Sequence, residues 1–586
     1  MEQFTQIREG LHIDFNVPIK VDDGLVLRAN VYRPNDDKKY PVILTYGPYG
    51  KDIHFEEIYS TAWDAVLKDC PEVGVGSTNI HQAWELVDPE KWCPLGYICV
   101  RVDGRGIGCS PGFFDQWSRR EAQDIYDCIE WAAAQPWSTG KIGMNGISYY
   151  ATNQWHVAEL QPPHLAAILC WEGFCDYYRD ADRHGGILNV WEKGWFDKQI
   201  GPVQYGRGEY GYKSRVTGRN VSSDVTLSSE ELMKNRSAHH ERELLNHPLD
   251  DEFFKYHSTN DFSKIQVPLL SAGNWGGAAL HLRGNVVGFL EVGSKEKWLE
   301  IHVGEHWTPF YSQEGHDLQQ AFLDYYLKGI DNGWKDRPMV DLKIRHVGQK
   351  TVQRFENEWP IKRTQYAKYY LDAANGLLTT QPPKEGDAVT YKGMSSEGVT
   401  FMSPPMQEEI EFTGHALAKM LISSSTTDAD LFLVFRVFTP DMEEDLVIGA
   451  SDPHTPMGQG WLRASHRKLD PDKTTDYLPW HTHDELWPLT PGEKVEMMVE
   501  IHPISIVVPK GYRFALTIRG KDYVYPGNEN KVLASNVTHP LTGCGPMMHN
   551  DPFDRPAAIF DGDVTIHIDP QNPAYLQLPV IPEKQT

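Results

Sequence analysis

Basic charge is scarce in this chain. Its 586 residues carry 56 Lys and Arg against 81 Asp and Glu, a formal net charge of −25, which argues against a phosphate-binding surface and hence against a nucleic-acid partner. Cysteine is thin as well. Eight cysteines (70, 93, 99, 109, 128, 170, 175 and 544) are scattered without a Cys-x-x-Cys pair, so neither a disulfide framework nor a cysteine zinc site is indicated. No apolar run reaches bilayer length, and the opening Met-Glu-Gln-Phe-Thr-Gln lacks a basic segment followed by an apolar core. No membrane partner and no secretory signal are therefore expected. Internal repeats and low-complexity stretches are missing too. What is left is an ordinary globular composition, 40% hydrophobic and 23% charged, at a length that predicts two or three domains. The expected setting is reducing and cytoplasmic, and a homo-oligomer is compatible with it.

Apolar runs alternate with helical periodicity through the first half. Val17–Lys20 and Leu25–Tyr32 flank a tight Asp-Gly turn at 21–24, and Pro41–Tyr46 and Gly96–Asp103 read as buried parallel strands. Ser118-Arg-Arg-Glu121 has the form of a capping box, followed by Ala122, Ile125, Tyr126, Ile129 and Ala133 at helical spacing. Further strands are expected at 166–171, 267–273 and 298–303, giving a mostly parallel sheet with helices on both faces. Residues 52–92 show no clear period and read as an insertion near the site or an excursion over the surface. The strand rhythm also stops between Asp176 and Phe262, where a helical lid is expected, its Trp191, Trp195 and Phe196 forming a small core of their own or, as the alternative, a substrate cage. From about Pro338 short alternating strands predict an all-β sandwich.

The chemistry gathers at 141–151. An apolar run ends in Gly146-Ile147-Ser148 and an aromatic, helix-compatible run follows at once, the pattern of a serine on a sharp strand-to-helix turn. Ser148 is the candidate nucleophile. A glycine two residues later would complete the general motif, but the chain has Tyr150. His306, after the last sheet strand, is the candidate base, since the chain order in this fold is serine, acid, histidine. His481-x-His483 with Asp484 lacks a third ligand in register and reads as solvated histidines, and no cofactor or metal is implied.

Several stretches resemble the cocaine esterase and NonD-type hydrolases, relatives of X-Pro dipeptidyl-peptidases. They are Gly47-Pro-Tyr-Gly-Lys51, the loop from Asp103 to Gly112, Gly146-Ile-Ser-Tyr149, Asp176-Tyr-Tyr-Arg179, Leu327-Lys-Gly329 and Trp461–Arg467. The resemblance implies an α/β-hydrolase core at 1–175 and 266–337, a helical lid at 176–265, and a jelly-roll-like C-terminal β-sandwich at 338–586. It also implies acyl transfer through an acyl-serine, with the oxyanion held by the backbone N–H of Tyr149 and the phenol of Tyr49. The family's acid position reads Gly277 here, in Gly273-Asn-Trp-Gly-Gly277. Glu172, at the end of the strand after Ser148, is the substitute acid and Asp176 the second choice. Trp171 and Trp275 are candidate substrate-binding residues. Asp180 and Asp182 could take a substrate amine or be simply solvated. The expected reaction is hydrolysis of an ester or amide of a small molecule, with an acyltransferase or lactone-forming variant and a binding protein with a degenerate site as the alternatives.

Overall fold

The computed structural model describes residues 2–239, 242–527 and 541–583. Two of the expected lid positions and part of the C-terminal region thus lie outside the described residues.

The strands of the first half are apolar on both faces, and they assemble as such runs must, between layers of helices. In spatial order the sheet runs Val26–Pro34, Ile98–Asp103, Tyr40–Gly47, Ser138–Ile147, Leu165–Trp171, Leu269–Asn274, Lys297–His302 and Val340–His346. All neighbours from Ile98–Asp103 onward are parallel. This is the α/β-hydrolase arrangement, and it brings the carboxyl ends of the Ser138–Ile147, Leu165–Trp171, Leu269–Asn274 and Lys297–His302 strands to one edge. Half of the expected capping box opens the helix Arg119–Ala133: Ser118 accepts from the Glu121 N–H, while the Glu121 carboxylate accepts from the Trp117 N–H and the Tyr149 hydroxyl instead of the Ser118 N–H. The helix buries Ile125, Cys128, Ile129 and Ala132 against that sheet.

Val340–His346 pairs in parallel with Lys297–His302 on one side and antiparallel with Lys350–Glu356 on the other. From there the chain is rich in antiparallel strands, the longest being Ile410–Ser424 against Val495–Val508. Their inward residues make a separate apolar cluster around Phe412, Leu433, Phe435, Ile501 and Phe514.

Residues 52–92 have more structure than their lack of period suggests. They form the helices Phe55–Ile58 and Ser60–Asp69, and Phe55, Tyr59, Trp63 and Trp84 are buried together with Trp191 and Trp195 of the lid. The lid's aromatics therefore share one core with this segment rather than keeping their own. No helix among the described residues is long and apolar enough to cross a membrane.

Candidate active site

Ser148 follows directly on the strand Ser138–Ile147 and precedes the helix Tyr149–Glu159, with backbone angles φ 58° and ψ −112°. An L-residue reaches that region only when its surroundings impose it. Here the Ser148 N–H is held by the Trp171 carbonyl at 3.0 Å and the preceding Ile147 N–H by the Glu85 carbonyl at 3.1 Å. A side chain at Gly146 would lie 2.6 Å from Tyr150 Cβ, and one at Gly47 2.3 Å from the Tyr150 ring. Tyr150 thus fits where the general motif asks for glycine, because two other glycines give it room.

Ser148 lines a cavity of about 300 Å³ together with Tyr49, Trp84, Glu85, Trp117, Phe174, Trp191, Trp195, His281, His306 and Trp307. The strand-rich C-terminal half closes one side through Ile448–Asp452 and Met547. The joint is tight: the Gly276 and His306 backbones bond to Ala450, and a Cβ on Gly276 would come within 2.4 Å of Gly449 Cα. This packing occupies the loop where the family's acid is expected, and no carboxylate stands in Gly273–Gly277.

Glu172, itself at φ 47°, presents a carboxylate to His306. Its Oε2 accepts from His306 Nδ1 at 2.6 Å and its Oε1 from His302 Nε2 at 2.8 Å and Asn274 Nδ2 at 3.2 Å. Burial works against its charge, but the His306 cation and both histidine hydrogen bonds outweigh burial and hold it well below the usual carboxylate range. Burial likewise disfavours an imidazolium on His306, yet the Glu172 charge and its hydrogen bonds raise it to about 10. Asp176, the second choice, caps the turn of Arg179 and pairs with it at 2.8 Å instead.

Two residues at the site were not expected. His306 Nε2 is engaged by Glu85 Oε1 at 3.0 Å, and Ser148 Oγ lies 3.2 Å from Nε2 of His281, not of His306. The expected direct serine contact of His306 is therefore corrected. The two imidazoles stack at 5.4 Å and 11°. Burial, with the neighbouring His306 cation, lowers His281 to about 3, so it is neutral, and its Nδ1 has no hydrogen-bond partner among the described residues. Burial raises Glu85 to about 7. The only sequence signal for His281 was its place shortly after the Leu269–Asn274 strand, and for Glu85 there was none.

Tyr49 packs against Trp84, Tyr149, Tyr150 and Trp195, in a loop anchored two residues on by Lys51, whose N–H bonds Asp103 at 2.7 Å and whose ammonium pairs with Asp103 and Asp52. Its hydroxyl accepts from Trp195 Nε1 at 3.1 Å, and burial keeps the phenol protonated. The Tyr149 side chain points away from the serine and donates to Glu121 at 2.7 Å, leaving its backbone N–H at the start of the helix.

Other expected positions are corrected. Trp171 is buried against His302 and Phe310, and Trp275 bonds the Lys343 carbonyl in a different core, so neither lines the cavity. Trp191 and Trp195 do line it. Asp180 and Asp182 are fully buried rather than solvated, Asp180 in an ion pair with Arg283 at 2.8 Å. His481 and His483 are buried as well, beside Arg179 and Arg283.

Two family models match the chain. One is X-Pro dipeptidyl-peptidase (S15 family) over residues 23–308, and the other is the X-Pro dipeptidyl-peptidase C-terminal non-catalytic domain over residues 332–577. The chain belongs to this family of serine esterase and peptidase-type hydrolases. Cocaine esterase of Rhodococcus sp. is 22% identical over 97% of this chain and 98% of its own length. A solved CocE/NonD family hydrolase from Staphylococcus aureus superposes with a TM-score of 0.80 at 28% identity, covering 97% of this chain and 94% of that one. An aminopeptidase from a marine sediment thaumarchaeon shares the fold, with a TM-score of 0.66 at 15% identity over 99% and 96% of the two chains. In this S15-family chain the strand-rich half corresponds to the non-catalytic domain, yet it contributes cavity wall.

Proposed function

We propose that this chain cleaves an ester or amide bond of a small or medium-sized acyl compound through a covalent acyl-Ser148 intermediate. The observation that carries the reading is a serine on a strained turn, 3.2 Å from a neutral imidazole, at the wall of an aromatic cavity of about 300 Å³. Ser148 Oγ attacks the carbonyl carbon, and its proton passes to an imidazole. The oxyanion accepts hydrogen bonds from the Tyr149 backbone N–H and the Tyr49 phenol. Collapse releases the alcohol or amine, which takes the proton back, and water repeats the sequence on the acyl-serine.

We assign the base role to His306. A base needs its second nitrogen held by an orienting group, and of these two imidazoles only His306 has one among the described residues, in Glu172. On His281 the cation formed by proton transfer would be opposed by burial and by His306. The assignment requires His306 Nε2 to pass its proton to Glu85, which burial raises to about 7, and then to exchange Glu85 for Ser148 when substrate enters, in keeping with catalytic hydrogen bonds that tighten only in the substrate complex. His281 then holds the serine hydroxyl at rest. The direct contact at 3.2 Å favours a second reading, in which His281 itself takes the proton.

Steady-state hydrolysis of a short-chain aryl ester by His306→Asn and His281→Asn separates the two. The first reading predicts a loss of about a thousandfold or more in kcat/KM for His306→Asn and a much smaller loss for His281→Asn. The reverse order assigns the base to His281, and near wild-type activity in both removes the acyl-serine mechanism.

A further inference from the structure

Outside the cavity, three donors from three separate segments meet. Asp115 lies in the turn before the helix Arg119–Ala133, His239 in the loop after Ser229–Lys234, and His257 at the end of Glu252–Tyr256. His257 Nε2 is 3.2 Å and His239 Nε2 3.4 Å from the same oxygen, Asp115 Oδ1. One donor atom from each residue lies within 4.8 Å of the other two. Both histidines are buried, while the Asp115 side chain is 24% exposed, leaving an approach from solvent.

The other nitrogens decide what can sit between them. His257 Nδ1 faces the Phe253 carbonyl at 2.7 Å, and a carbonyl only accepts, so that nitrogen carries the hydrogen. A neutral His257 therefore turns the lone pair of Nε2 toward a carboxylate oxygen, an arrangement that needs a positive charge between them. His239 Nδ1 faces the Tyr177 hydroxyl at 3.3 Å, while that hydroxyl gives its own proton to Glu192. His239 too then presents a lone pair to Asp115. Protonating both imidazoles would place two cations with ring centroids 4.6 Å apart on one oxygen. A single divalent cation serves all three donors.

We propose that Asp115, His239 and His257 form a binding site for a divalent transition-metal ion of the zinc class, with water as the remaining ligand. The 3.2 and 3.4 Å separations match the edge of a tetrahedron with metal bonds near 2.0 Å, about 3.3 Å. An imidazole whose second nitrogen is held by a carbonyl or hydroxyl oxygen is also the usual outer shell of a metal-bound histidine. The site is structural in position. It ties the lid to the turn that carries Trp117, which stacks on Trp195 at 5.4 Å in the cavity wall.

The test uses the full-length protein stripped with a chelator, then loaded with Zn²⁺ or Co²⁺. One tightly held equivalent of zinc after gel filtration and a raised thermal midpoint are expected, with at least a tenfold loss of affinity in His239→Asn, His257→Asn and Asp115→Asn. The Co²⁺ form of the wild type gives a reading that needs no variant: intense visible bands of a four-coordinate ion are expected. No retained metal would leave only an imidazolium–carboxylate ion pair and overturn the proposal. So would equal binding by the variants, or the weak absorption of a six-coordinate ion.

Discussion

Glu172 and Glu85 hold opposite ends of one imidazole, and their removal has different consequences. Glu172→Gln leaves His306 without its orienting charge, and a loss of about four orders of magnitude in kcat is expected with substrate binding retained. Glu85→Gln removes the carboxylate on the nitrogen that must face the serine. Hydrogen bonding to Glu85 and its charge help to raise His306, so the variant lowers the pH at which His306 becomes a free base. The acid limb of its kcat/KM profile moves to lower pH. A limb that stays in place would separate Glu85 from the reactive histidine. Tyr49→Phe deletes one proposed oxyanion donor and should cost about a hundredfold in kcat with little change in KM.

The strand-to-helix turn at Ser148 is the element on which everything else is set. A Cβ at Gly146 would meet Tyr150 Cβ at 2.6 Å, and relief would have to come from the serine's own helix. Gly146→Ala is expected to destabilise the protein by about 1–3 kcal/mol and to reduce activity more than stability alone explains, read from thermal melts alongside kinetics. This turn was legible in the sequence because its signals are local: an apolar strand, a small residue and a helical run in eleven positions. Glu172 was legible through chain order, as the residue closing the next strand. His281 and Glu85 were not. One lies in a Gly-Gly-Ala-Ala-Leu-His stretch and the other at φ 61° in a segment without period, so their places depend on tertiary contacts alone. The same holds for the lid tryptophans, whose ring partners include Tyr49, Trp117 and Tyr149.

At the scale of the whole molecule, the two halves are joined through buried histidines whose surroundings no local pattern reveals. Burial lowers His184, His415 and His481 to about 3, and His466, His483 and His502 lie well below their ordinary value. Arg179 and Arg283 reinforce burial at His481 and His483. Each is neutral when folded but protonates on unfolding below about pH 6.5. Their contribution is thus present above that pH and lost as pH falls toward 3, at up to about 1.4 kcal/mol per pH unit for each group. His302 and His306, raised to about 9 and 10, act in the opposite sense. Their stabilisation is complete below about pH 6.5 and is lost as pH rises through 9 and 10. The thermal midpoint should therefore peak near neutrality and fall steeply on the acid side, and His481→Gln combined with His483→Gln should flatten that acid limb. An acid limb unchanged in the double variant would show that these histidines do not set it.

The central claim is that Ser148 carries the acyl group, and the most direct measurement is intact and peptide mass spectrometry after treatment with a serine-reactive fluorophosphonate. One adduct on the wild type, mapped to the peptide containing Ser148 and absent from a folded Ser148→Ala variant, is the predicted result. An adduct that persists in Ser148→Ala, or a wild type that takes up none, would contradict the account.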